Sequence, residues 1–168
     1  MKVFKYCPNC KFKLNKTEES YFCKSCQEKF YLNPAPTASV LPIKYGRVLL
    51  AKRGIEPYKG EYDLIGGFIK PGESAENAAT RETKEETGLN VRIIQLIGTY
   101  PDQYGKGGNY TINIHFIAEV IGGKPEPQSD ASSLEWIPIK EIPKLKLKGF
   151  KNTREALKDL QKWYKERK

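Results

Sequence analysis

The sequence lacks several features that mark other classes of protein. Its 168 residues include one histidine, one methionine and no cysteine beyond Cys26. It has no long apolar run, and its mean hydropathy is −0.62, so we expect no transmembrane segment and no membrane partner. The first residues, MKVFKYCPNC, contain no apolar signal-peptide core, and a cytoplasmic location is therefore the expectation.

The charge of the chain is positive overall, at +9, but it is unevenly distributed. Residues 1–31 hold seven Lys/Arg against three Asp/Glu, residues 32–137 hold eleven against thirteen, and residues 138–168 hold eleven against four. Basic ends around an acidic middle suit an anionic partner, either a phosphorylated small molecule or a nucleic acid. A solvated, lysine-rich surface is the favoured interpretation for the C-terminal segment.

All four cysteines lie near the N-terminus in two C-x2-C pairs, with twelve residues between the pairs. The pairs are Cys7 with Cys10 and Cys23 with Cys26. This spacing is typical of a zinc ribbon, in which the pairs together bind one tetrahedral structural Zn²⁺. Disulfides or free thiols are the alternatives. Because a module of about thirty residues has almost no core, zinc binding would supply most of its folding free energy.

The remaining chain alternates segments typical of strands and helices. We expect a zinc ribbon over residues 1–32, a stiff, proline-containing junction over residues 33–36, and one domain over residues 37–168. Apolar patterning predicts strands in the segments TASVLPI, RVLLAKR, YDLIGGFI, VRIIQLIGTY, YTINIHFIAEV and LEWIP. Strands that alternate with helices predict a mixed sheet with helices on its faces, which is an α/β sandwich.

Two helices are expected. One should begin at Ser74, a good N-cap, and end at Gly88. The other should begin near Thr153, with Asn152 as its cap, and carry one apolar stripe that covers the sheet.

Toward its C-terminal end the first helix carries three glutamates within five residues, Glu82, Glu85 and Glu86. At 100° per residue they share a face with three alanines, and four polar residues hold the opposite side. The alanines are Ala75, Ala78 and Ala79, and the polar residues are Asn77, Thr80, Lys84 and Thr87. Because the helix has no large apolar residue, its alanine face should dock on the sheet and bring the acids inward. Inward carboxylates need compensation, and oxygen ligands favour Mg²⁺ or Mn²⁺. A solvated acidic face is the alternative.

The spacing of these acids resembles a family signature. From Gly67 the chain reads GFIKPGESAENAATRETKEETGL, which fits G-x5-E-x7-R-E-x-x-E-E-x-G-L. This is similar to the Nudix box, and GEYDLIGG resembles the lead-in of that family, with Tyr62 for Trp and Ile65 for Pro. Thr83 stands where the family prefers an aliphatic residue. The resemblance covers residues 36–168 and implies a Nudix-type α/β/α sandwich behind the ribbon.

The resemblance also implies roles for matched positions. The Mg²⁺ or Mn²⁺ ligands would be three carboxylates and one backbone carbonyl, from Glu82, Glu85, Glu86 and Gly66. Arg81 would pair with Glu73 and steady the helix as part of the catalytic set. The general base would be Glu86 or, on the loop before LEWIP, Asp130. An exposed turn residue is the alternative for Asp130.

The implied activity is Mg²⁺-dependent hydrolysis of a nucleoside diphosphate linked to another group, of the ADP-ribose, NADH or FAD type, with release of a nucleoside monophosphate. A ribbon before such a domain resembles the NADH pyrophosphatase branch. That branch carries an S-Q-P-W-P-F-P-like segment, whereas this chain reads IGTYPDQYGKGG. The chain therefore resembles more closely other ribbon-bearing hydrolases, for which ADP-ribose and FAD are among the candidate substrates. The alternatives are a nucleoside triphosphate pyrophosphatase and a nucleotide-sensing module whose ribbon contacts nucleic acid.

Candidate substrate contacts are Arg53, ahead of Arg47, for a diphosphate, Tyr104 or Tyr110 for a base, and the backbone at Gly67. Ordinary surface tyrosines are the alternative for the two tyrosines. His115 is expected to be structural. A basic, aromatic patch on the ribbon could contact nucleic acid, and its members are Lys2, Lys5, Lys11, Lys13, Lys16, Tyr6 and Phe12. Solvated lysines are the favoured interpretation, so a small-molecule nucleotide is the expected partner. Family resemblance makes a homodimer the expected assembly.

Overall fold

The computed structural model describes residues 4–167, and Lys2 of the patch above lies outside this range. The described residues form ten strands, two α-helices and one 3₁₀-helix. The strands are β1 (Asn15–Lys16), β2 (Ser20–Phe22), β3 (Lys29–Tyr31), β4 (Ala35–Lys44), β5 (Arg47–Arg53), β6 (Tyr62–Asp63), β7 (Ile65–Phe68), β8 (Asn90–Gln103), β9 (Tyr110–Gly122) and β10 (Ala131–Pro138). The helices are α1 (Ala75–Thr87), α2 (Lys151–Lys165) and the 3₁₀-helix Ile139–Lys144. Neither α-helix in this range has the length and apolar character that crossing a bilayer requires.

The first three strands form a small antiparallel sheet in the order β1-β2-β3. One face of this sheet packs with two of the cysteines into an apolar cluster, which contains Cys7, Leu14, Tyr21, Cys23, Phe30 and Leu32. So small a cluster offsets little of the entropy lost when about thirty residues become ordered, since each ordered backbone costs roughly 1–2 kcal/mol. The ribbon therefore needs a further source of stability.

The other seven strands form one mixed sheet whose main path is β10-β5-β4-β9-β8. β6 pairs with β5, and β7 pairs with β4. β4 and β9 are parallel, from Ala35 opposite Thr111 to Ile43 opposite Glu119, and the remaining pairs are antiparallel. This arrangement brings the first residues of β4 and β9 and the last residues of β5 to the same end of the sheet.

Alternate residues of β4 and β5 pack on opposite faces of this sheet. Val40 and Leu49 belong to the cluster beneath α1, whereas Leu41 and Leu50 belong to the cluster beneath α2. Each of these four side chains is at most 1% exposed, and burying one such side chain contributes about 1.5–3 kcal/mol. The sheet lies between the two helices, which confirms the predicted α/β/α sandwich.

The six predicted strand segments are present, most of them with longer bounds. YDLIGGFI differs in detail, because it forms two short strands, β6 and β7, on either side of Leu64. β4 begins at Ala35, inside the segment expected to be a junction. The division into a ribbon over residues 1–32 and a domain over residues 37–168 stays a prediction.

α1 begins and ends where the sequence indicated. The Ser74 hydroxyl accepts a hydrogen bond from a first-turn amide, and Gly88 ends the helix in the left-handed region. α2 begins earlier than predicted, at Lys151, and Asn152 is not its cap. The carboxylate of Asp102 on β8 instead accepts hydrogen bonds from N and Nδ2 of Asn152, both at 2.9 Å. The acceptor at this helix end comes from a distant strand, which a local pattern does not reveal.

The buried face of α1 is wider than the helical wheel predicted. Thr87, expected on the outer side, is fully buried together with Thr83. The Thr87 hydroxyl donates to the carbonyl of Thr83 at 2.6 Å, and the Thr83 hydroxyl donates to the carbonyl of Ala79 at 2.7 Å. Because these bonds satisfy the hydroxyls locally, threonine can be buried in this helix without water.

Candidate active site

A cleft of about 460 Å³ opens at the end of the main sheet where β4 and β9 begin and β5 ends. Seven residues singled out from the sequence line it, namely Arg53, Gly66, Gly67, Glu82, Glu86, Tyr104 and Asp130. They come from β5, β7, α1 and two loops, so the fold gathers residues that are distant in the chain. A concave site with convergent polar groups is the default location for ligand binding.

Two consecutive glycines allow β7 to approach β4 closely at Gly66 and α1 closely at Gly67. A Cβ at Gly66 would lie 2.5 Å from Cα and Oγ of Ser39 on the neighbouring β4. A Cβ at Gly67 would lie 2.7–2.9 Å from the carboxylate atoms of Glu82. Real Cβ atoms do not tolerate such distances, so the absence of side chains here makes room for the Glu82 carboxylate against the backbone.

Glu86 is a partly buried carboxylate on the wall of the cleft. Its Oε2 accepts a 3.3 Å hydrogen bond from the amide of Gly66, and no Lys or Arg among residues 4–167 forms an ion pair with it. Burial, followed by the charge of Glu82, raises the pKa of Glu86 to about 8. A divalent cation bound by both carboxylates would supply the missing positive charge and favour their ionised forms. The donor set therefore fits Mg²⁺ or Mn²⁺.

Arg81 organises the acids from behind the cleft. Its Nε and Nη2 donate to the two carboxylate oxygens of Glu73 at 2.8 and 2.9 Å. Its Nη1 donates to Glu82 at 2.6 Å and to Glu85 at 3.1 Å. Hydrogen bonding from Arg81 lowers the pKa of Glu73 to about 2. One guanidinium thus fixes three carboxylates, and the Arg81–Glu73 pair expected from the sequence is present.

Glu85 differs from the other two acids. Its side chain is 51% exposed, against 16% for Glu82, and it does not line the cleft. It contacts Arg81 and approaches Nζ of Lys70 at 4.0 Å. The prediction that all three acids face inward is therefore correct for Glu82 and Glu86 only. Glu85 lies at the margin of the buried face of the helix, so its side chain extends into solvent.

The loop before β10 is attached to the C-terminal end of α1. The carbonyls of Glu86 and Thr87, which have no partner within the helix, accept the amides of Gln128 at 2.9 Å and Glu126 at 3.0 Å. The carbonyl of Asp130 accepts the amide of Gly54 at 2.7 Å. These bonds hold the exposed Asp130 side chain at the same cleft as Glu86.

Arg53 lies in the cleft wall with its guanidinium engaged. Its Nη1 donates to Asp63 at 3.0 Å, its Nε donates to the carbonyl of Pro57 at 2.5 Å, and the group stacks on the ring of Phe150 at 5.1 Å. Burial raises the pKa of Asp63, and hydrogen bonds from Thr153 and Arg53 oppose that shift. A bidentate contact to a diphosphate would require Arg53 to leave some of these partners.

Tyr104 belongs to a row of aromatic rings along the cleft. Its centroid lies 5.8 Å from that of Phe68 and 5.6 Å from that of Phe150. Tyr104 and Phe68 both remain accessible to solvent. Exposed rings of this kind offer a stacking surface for a planar base.

Buried polar side chains form the floor of the cleft. The Thr37 hydroxyl donates to Oδ1 of Asn113 at 2.6 Å, and Asn113 donates to the carbonyl of Tyr100 at 2.8 Å. Beneath them, Nε2 of His115 contacts Oδ1 of Asn152 at 3.0 Å. Burial lowers the pKa of His115 to about 4, which keeps the ring neutral. His115 does not line the cleft, in agreement with a structural role.

The four cysteines converge in the ribbon. Their Sγ atoms all lie within 4.8 Å of one another, with separations of 3.6 Å for Cys7–Cys26, 3.4 Å for Cys10–Cys23 and 3.7 Å for Cys10–Cys26. Tetrahedral thiolates at about 2.3 Å from Zn²⁺ would stand about 3.8 Å apart. The donor set therefore fits one zinc ion and is too widely spaced for disulfides, whose sulfurs are bonded at about 2.0 Å.

Three cleft residues were not predicted from the sequence, namely Asp63, Asn113 and Phe150, and Asn152 was expected only as a helix cap. Asp63 stands within the lead-in GEYDLIGG, where its position next to the glycines was a usable signal. Asn113 and Phe150 carried no such signal, because a polar residue on a strand or a phenylalanine before a helix is common in many proteins. Only the pairing of β4 with β9 and the docking of α2 bring them to the cleft.

Comparisons with known proteins agree with this geometry. A family model described as NUDIX domain matches residues 33–160. An ADP-ribose pyrophosphatase from Methanocaldococcus jannaschii is 38% identical over 137 residues, which cover 80% of this chain and 78% of that protein. The NAD-capped RNA hydrolase NudC of Pseudomonas fluorescens is 31% identical over 144 residues, 84% of this chain but 50% of that protein. The chain thus spans about half the length of this relative.

Among solved structures, a NUDIX hydrolase from Nitrosomonas europaea superposes with a TM-score of 0.79 at 26% identity. The match covers 98% of this chain and 92% of that one, so it includes the ribbon as well as the sandwich. A MutT NUDIX hydrolase from Burkholderia pseudomallei gives a TM-score of 0.68 at 25% identity over 76% of this chain.

Proposed function

Because this chain belongs to the NUDIX domain family, we propose that it is a metal-dependent diphosphatase that cleaves a nucleoside diphosphate linked to another group. The reaction releases a nucleoside monophosphate and the phosphorylated second group. ADP-ribose is the leading substrate, and the relative named ADP-ribose pyrophosphatase, at 38% identity, supports this choice. Dinucleotides of the NADH or FAD type are the next candidates.

The observation that carries the proposal is the pair of carboxylates, Glu82 and Glu86, on one wall of the cleft. Glu86 is partly buried without a cationic partner in residues 4–167, an arrangement that a bound Mg²⁺ or Mn²⁺ would stabilise. When bound, such an ion would withdraw charge from diphosphate oxygens and acidify water at the site. We propose Glu82, Glu86 and the carbonyl of Gly66 as ligands, with Glu85 at the rim for a second ion.

Other residues of the site position the metal ligands or bind the substrate. Arg81 keeps Glu82 and Glu85 in place through the bonds described above and has no need to touch the substrate. Tyr104 offers a face for the base. Asp130, held beside Glu86, is the proposed acceptor of the proton that water loses as it attacks phosphorus. Positioning and electrostatic stabilisation then account for most of the rate gain.

The test is a substrate panel of ADP-ribose, NADH, FAD and a nucleoside triphosphate, with and without Mg²⁺, followed by chromatography of the products. We expect AMP from ADP-ribose in the presence of the ion. Glu86→Gln should lower activity about 10–100-fold or more, because it disturbs the metal site. Glu76→Gln is the matched control, because Glu76 lies on the same helix and is exposed in its first turn.

Three results would count against the proposal. Equal activity of the wild type and Glu86→Gln would show that the carboxylates take no part. Release of pyrophosphate from the triphosphate, with ADP-ribose untouched, would establish the alternative triphosphate pyrophosphatase. Tight nucleotide binding without any turnover would support the sensing module instead.

Zinc in the ribbon, a homodimer and a cytoplasmic location are further parts of the proposal. Metal analysis should find one zinc per chain, and Cys23→Ser should lose it. Zinc removal should abolish amide protection from hydrogen exchange in residues 4–32 and leave the main sheet protected. Light scattering tests the dimer, and localisation of the tagged protein tests the compartment. A reducing compartment suits cysteines that bind metal.

A further inference from the structure

The lining of the cleft is rich in carboxylates and poor in cations. Its carboxylates belong to Asp63, Glu82, Glu86 and Asp130. Among residues 4–167, the Lys and Arg side chains that line it are those of Arg53 and Lys70. Each phosphate in the diphosphate of ADP-ribose is negatively charged at neutral pH, so a cationic side chain that binds it would offset repulsion from the carboxylates. Arg53 and Lys70 are the candidates for this contact.

Arg53 is poorly available to a ligand because its guanidinium already has partners. Its side chain is 12% exposed, and its Nη1 donates at 3.0 Å to Asp63, whose side chain is 16% exposed. If Arg53 turned toward a ligand, a buried carboxylate would lose its cationic partner, which is strongly unfavourable. The carbonyl of Pro57 would also lose the hydrogen bond from Nε. We therefore expect Arg53 to hold the wall of the cleft.

Lys70 has a fixed backbone at the cleft. Its amide donates to Oε2 of Glu73 at 3.1 Å, and its carbonyl accepts the amide of the same residue at 3.1 Å. Pro71 and Gly72 are the central residues of this turn, and Gly72 has the positive φ, 81°, that a type II turn requires. Because Arg81 binds Glu73 in two places, the turn is tied to α1. The base of the Lys70 side chain is thus held in place.

The ammonium group of Lys70, in contrast, is free to turn toward a ligand. Its side chain is 62% exposed, and it approaches Glu85, itself 51% exposed, at 4.0 Å. Exposed ion pairs of this kind contribute little to stability, so the ammonium group can leave Glu85 at little cost. A positive charge on a flexible stem, attached to a rigid turn at the cleft, suits the binding of an anionic ligand.

We infer that Lys70 binds the diphosphate of the substrate. This inference rests on the proposed diphosphatase function and deepens it, because it names the side chain that recognises the diphosphate. Lys70 thus takes the contact that the sequence led us to expect of Arg53. Since an ammonium group binds phosphate as a point charge, the contact recognises the part that ADP-ribose, NADH and FAD share and discriminates little between their second groups.

The experiment measures the binding of an ADP-ribose analogue in which a methylene group replaces the oxygen between the two phosphorus atoms, so that this bond cannot be hydrolysed. The test variant is Lys70→Met, which keeps an unbranched side chain and removes the charge. Because a hydrogen bond to a charged group is worth about tenfold in affinity or more, we expect the Kd of the analogue with Mg²⁺ to rise by about that factor. KM for ADP-ribose should rise with it and kcat should stay unchanged, since the contact is made before and during the reaction alike.

Three further measurements separate a substrate contact from a structural role. Lys70→Arg should bind the analogue almost as well as the wild type, because it keeps the charge. The affinity of Lys70→Met for adenosine, which carries no phosphate, should equal that of the wild type. Its affinity for Mg²⁺ without nucleotide should be equal or higher, since Lys70 no longer competes for Glu85.

The matched control is Lys84→Met, which removes the same charge from an exposed position on α1 outside the cleft. The Nζ of Lys84 donates to the carbonyl of Gly88 at 3.0 Å, at the far end of the helix from the turn that contains Lys70. This variant should bind the analogue like the wild type, which shows that net charge alone does not explain the effect.

The outcomes separate the inference from the proposed function. An unchanged Kd in Lys70→Met, together with hydrolysis of ADP-ribose by the wild type, would overturn the inference alone. A raised Kd without hydrolysis by the wild type would overturn the diphosphatase function and leave the contact in place. Weaker binding of adenosine or of Mg²⁺ by Lys70→Met would show that Lys70 shapes the site and does not bind the diphosphate. Failure of the wild type to bind the analogue would overturn both proposals.

Discussion

The guanidinium of Arg81 and the carboxylate of Glu73 form a two-point hydrogen bond, with donor–acceptor distances of 2.8 and 2.9 Å. Glu73 also accepts the amide of Lys70 at 3.1 Å, so the pair links the turn before α1 to the middle of the helix. The low pKa of Glu73, about 2, means that the pair stays ionised throughout the neutral range. The position of Glu82 depends on this link, because the same guanidinium binds it.

Replacement of Arg81 by lysine should weaken metal binding rather than unfold the protein. An ammonium group cannot bind Glu73 in two places and reach Glu82 and Glu85 as well. Loss of a group that orients metal ligands typically costs 10–100-fold in metal affinity or activity. We therefore expect the Mg²⁺ concentration for half-maximal activity to rise about tenfold or more in Arg81→Lys.

The matched control is Arg92→Lys on the outer strand β8, which alters an exposed ion pair with Glu119 on β9. Such a pair contributes about 0–1 kcal/mol, so activity and Mg²⁺ requirement should stay at wild-type values. A Mg²⁺ requirement in Arg81→Lys equal to that of the wild type would mean that the guanidinium is not needed to orient the ligands.

Gly67→Ala should displace the carboxylate of Glu82. The added methyl group would lie 2.7–2.9 Å from the carboxylate atoms, which is too close for both to keep their places. We expect weaker Mg²⁺ binding, about 10–100-fold by analogy with other disturbed ligand positions, measured by isothermal titration. In Gly122→Ala the methyl group meets Nδ2 of Asn90 at an ordinary 3.5 Å, so this variant serves as the control. Unaltered Mg²⁺ affinity in Gly67→Ala would contradict the assignment of Glu82 as a ligand.

Local sequence patterns were sufficient for α1 and for most strands. Ser74 and Gly88 define the ends of the helix by their own chemistry, and the period-two pattern of β4 and β5 assigns their residues to opposite faces. The wheel placed Glu82 and Glu86 correctly because helix geometry is regular. It misplaced Thr87, since a threonine that bonds to its own helix can be buried like an apolar residue.

The features of the site that the sequence did not predict depend on contacts between segments that are far apart in the chain. Asp102 and Asn152 are fifty residues apart, and their hydrogen bonds decide where α2 begins and which of its residues reach the cleft. The orientation of Arg53 likewise depends on Asp63 and Phe150, which belong to different elements. No local pattern encodes such pairs, so the substrate side of the cleft was less predictable than the side that carries the acids.

His115 should make the protein less stable in mild acid. Its folded-state pKa is lowered by burial to about 4, against about 6.5 in an unfolded chain. The unfolded state therefore binds a proton first as the pH falls, and stability is lost between about pH 6.5 and pH 4. The shift corresponds to about 3 kcal/mol at most. Urea unfolding at a series of pH values measures this slope.

The comparison variant is His115→Gln, which keeps a polar side chain near Asn152 but cannot titrate. Its unfolding free energy should be lower than that of the wild type at pH 7, and it should change less between pH 6.5 and pH 4. Parallel curves for the two proteins across this window would show that His115 is not buried in neutral form.

Asp130 should accept the proton of the attacking water, and its removal should leave the affinity for Mg²⁺ unchanged. Asp130→Ala is therefore expected to lower kcat by about 10²–10⁴, with the Mg²⁺ requirement unchanged. Formate added to this variant should restore part of the rate, because a small carboxylate can enter the space that the side chain leaves. Glu126→Gln, on the same loop and paired with Lys124 at 3.2 Å outside the cleft, is the control. A rise in the Mg²⁺ requirement without formate rescue would instead make Asp130 a metal ligand and leave Glu86 as the base.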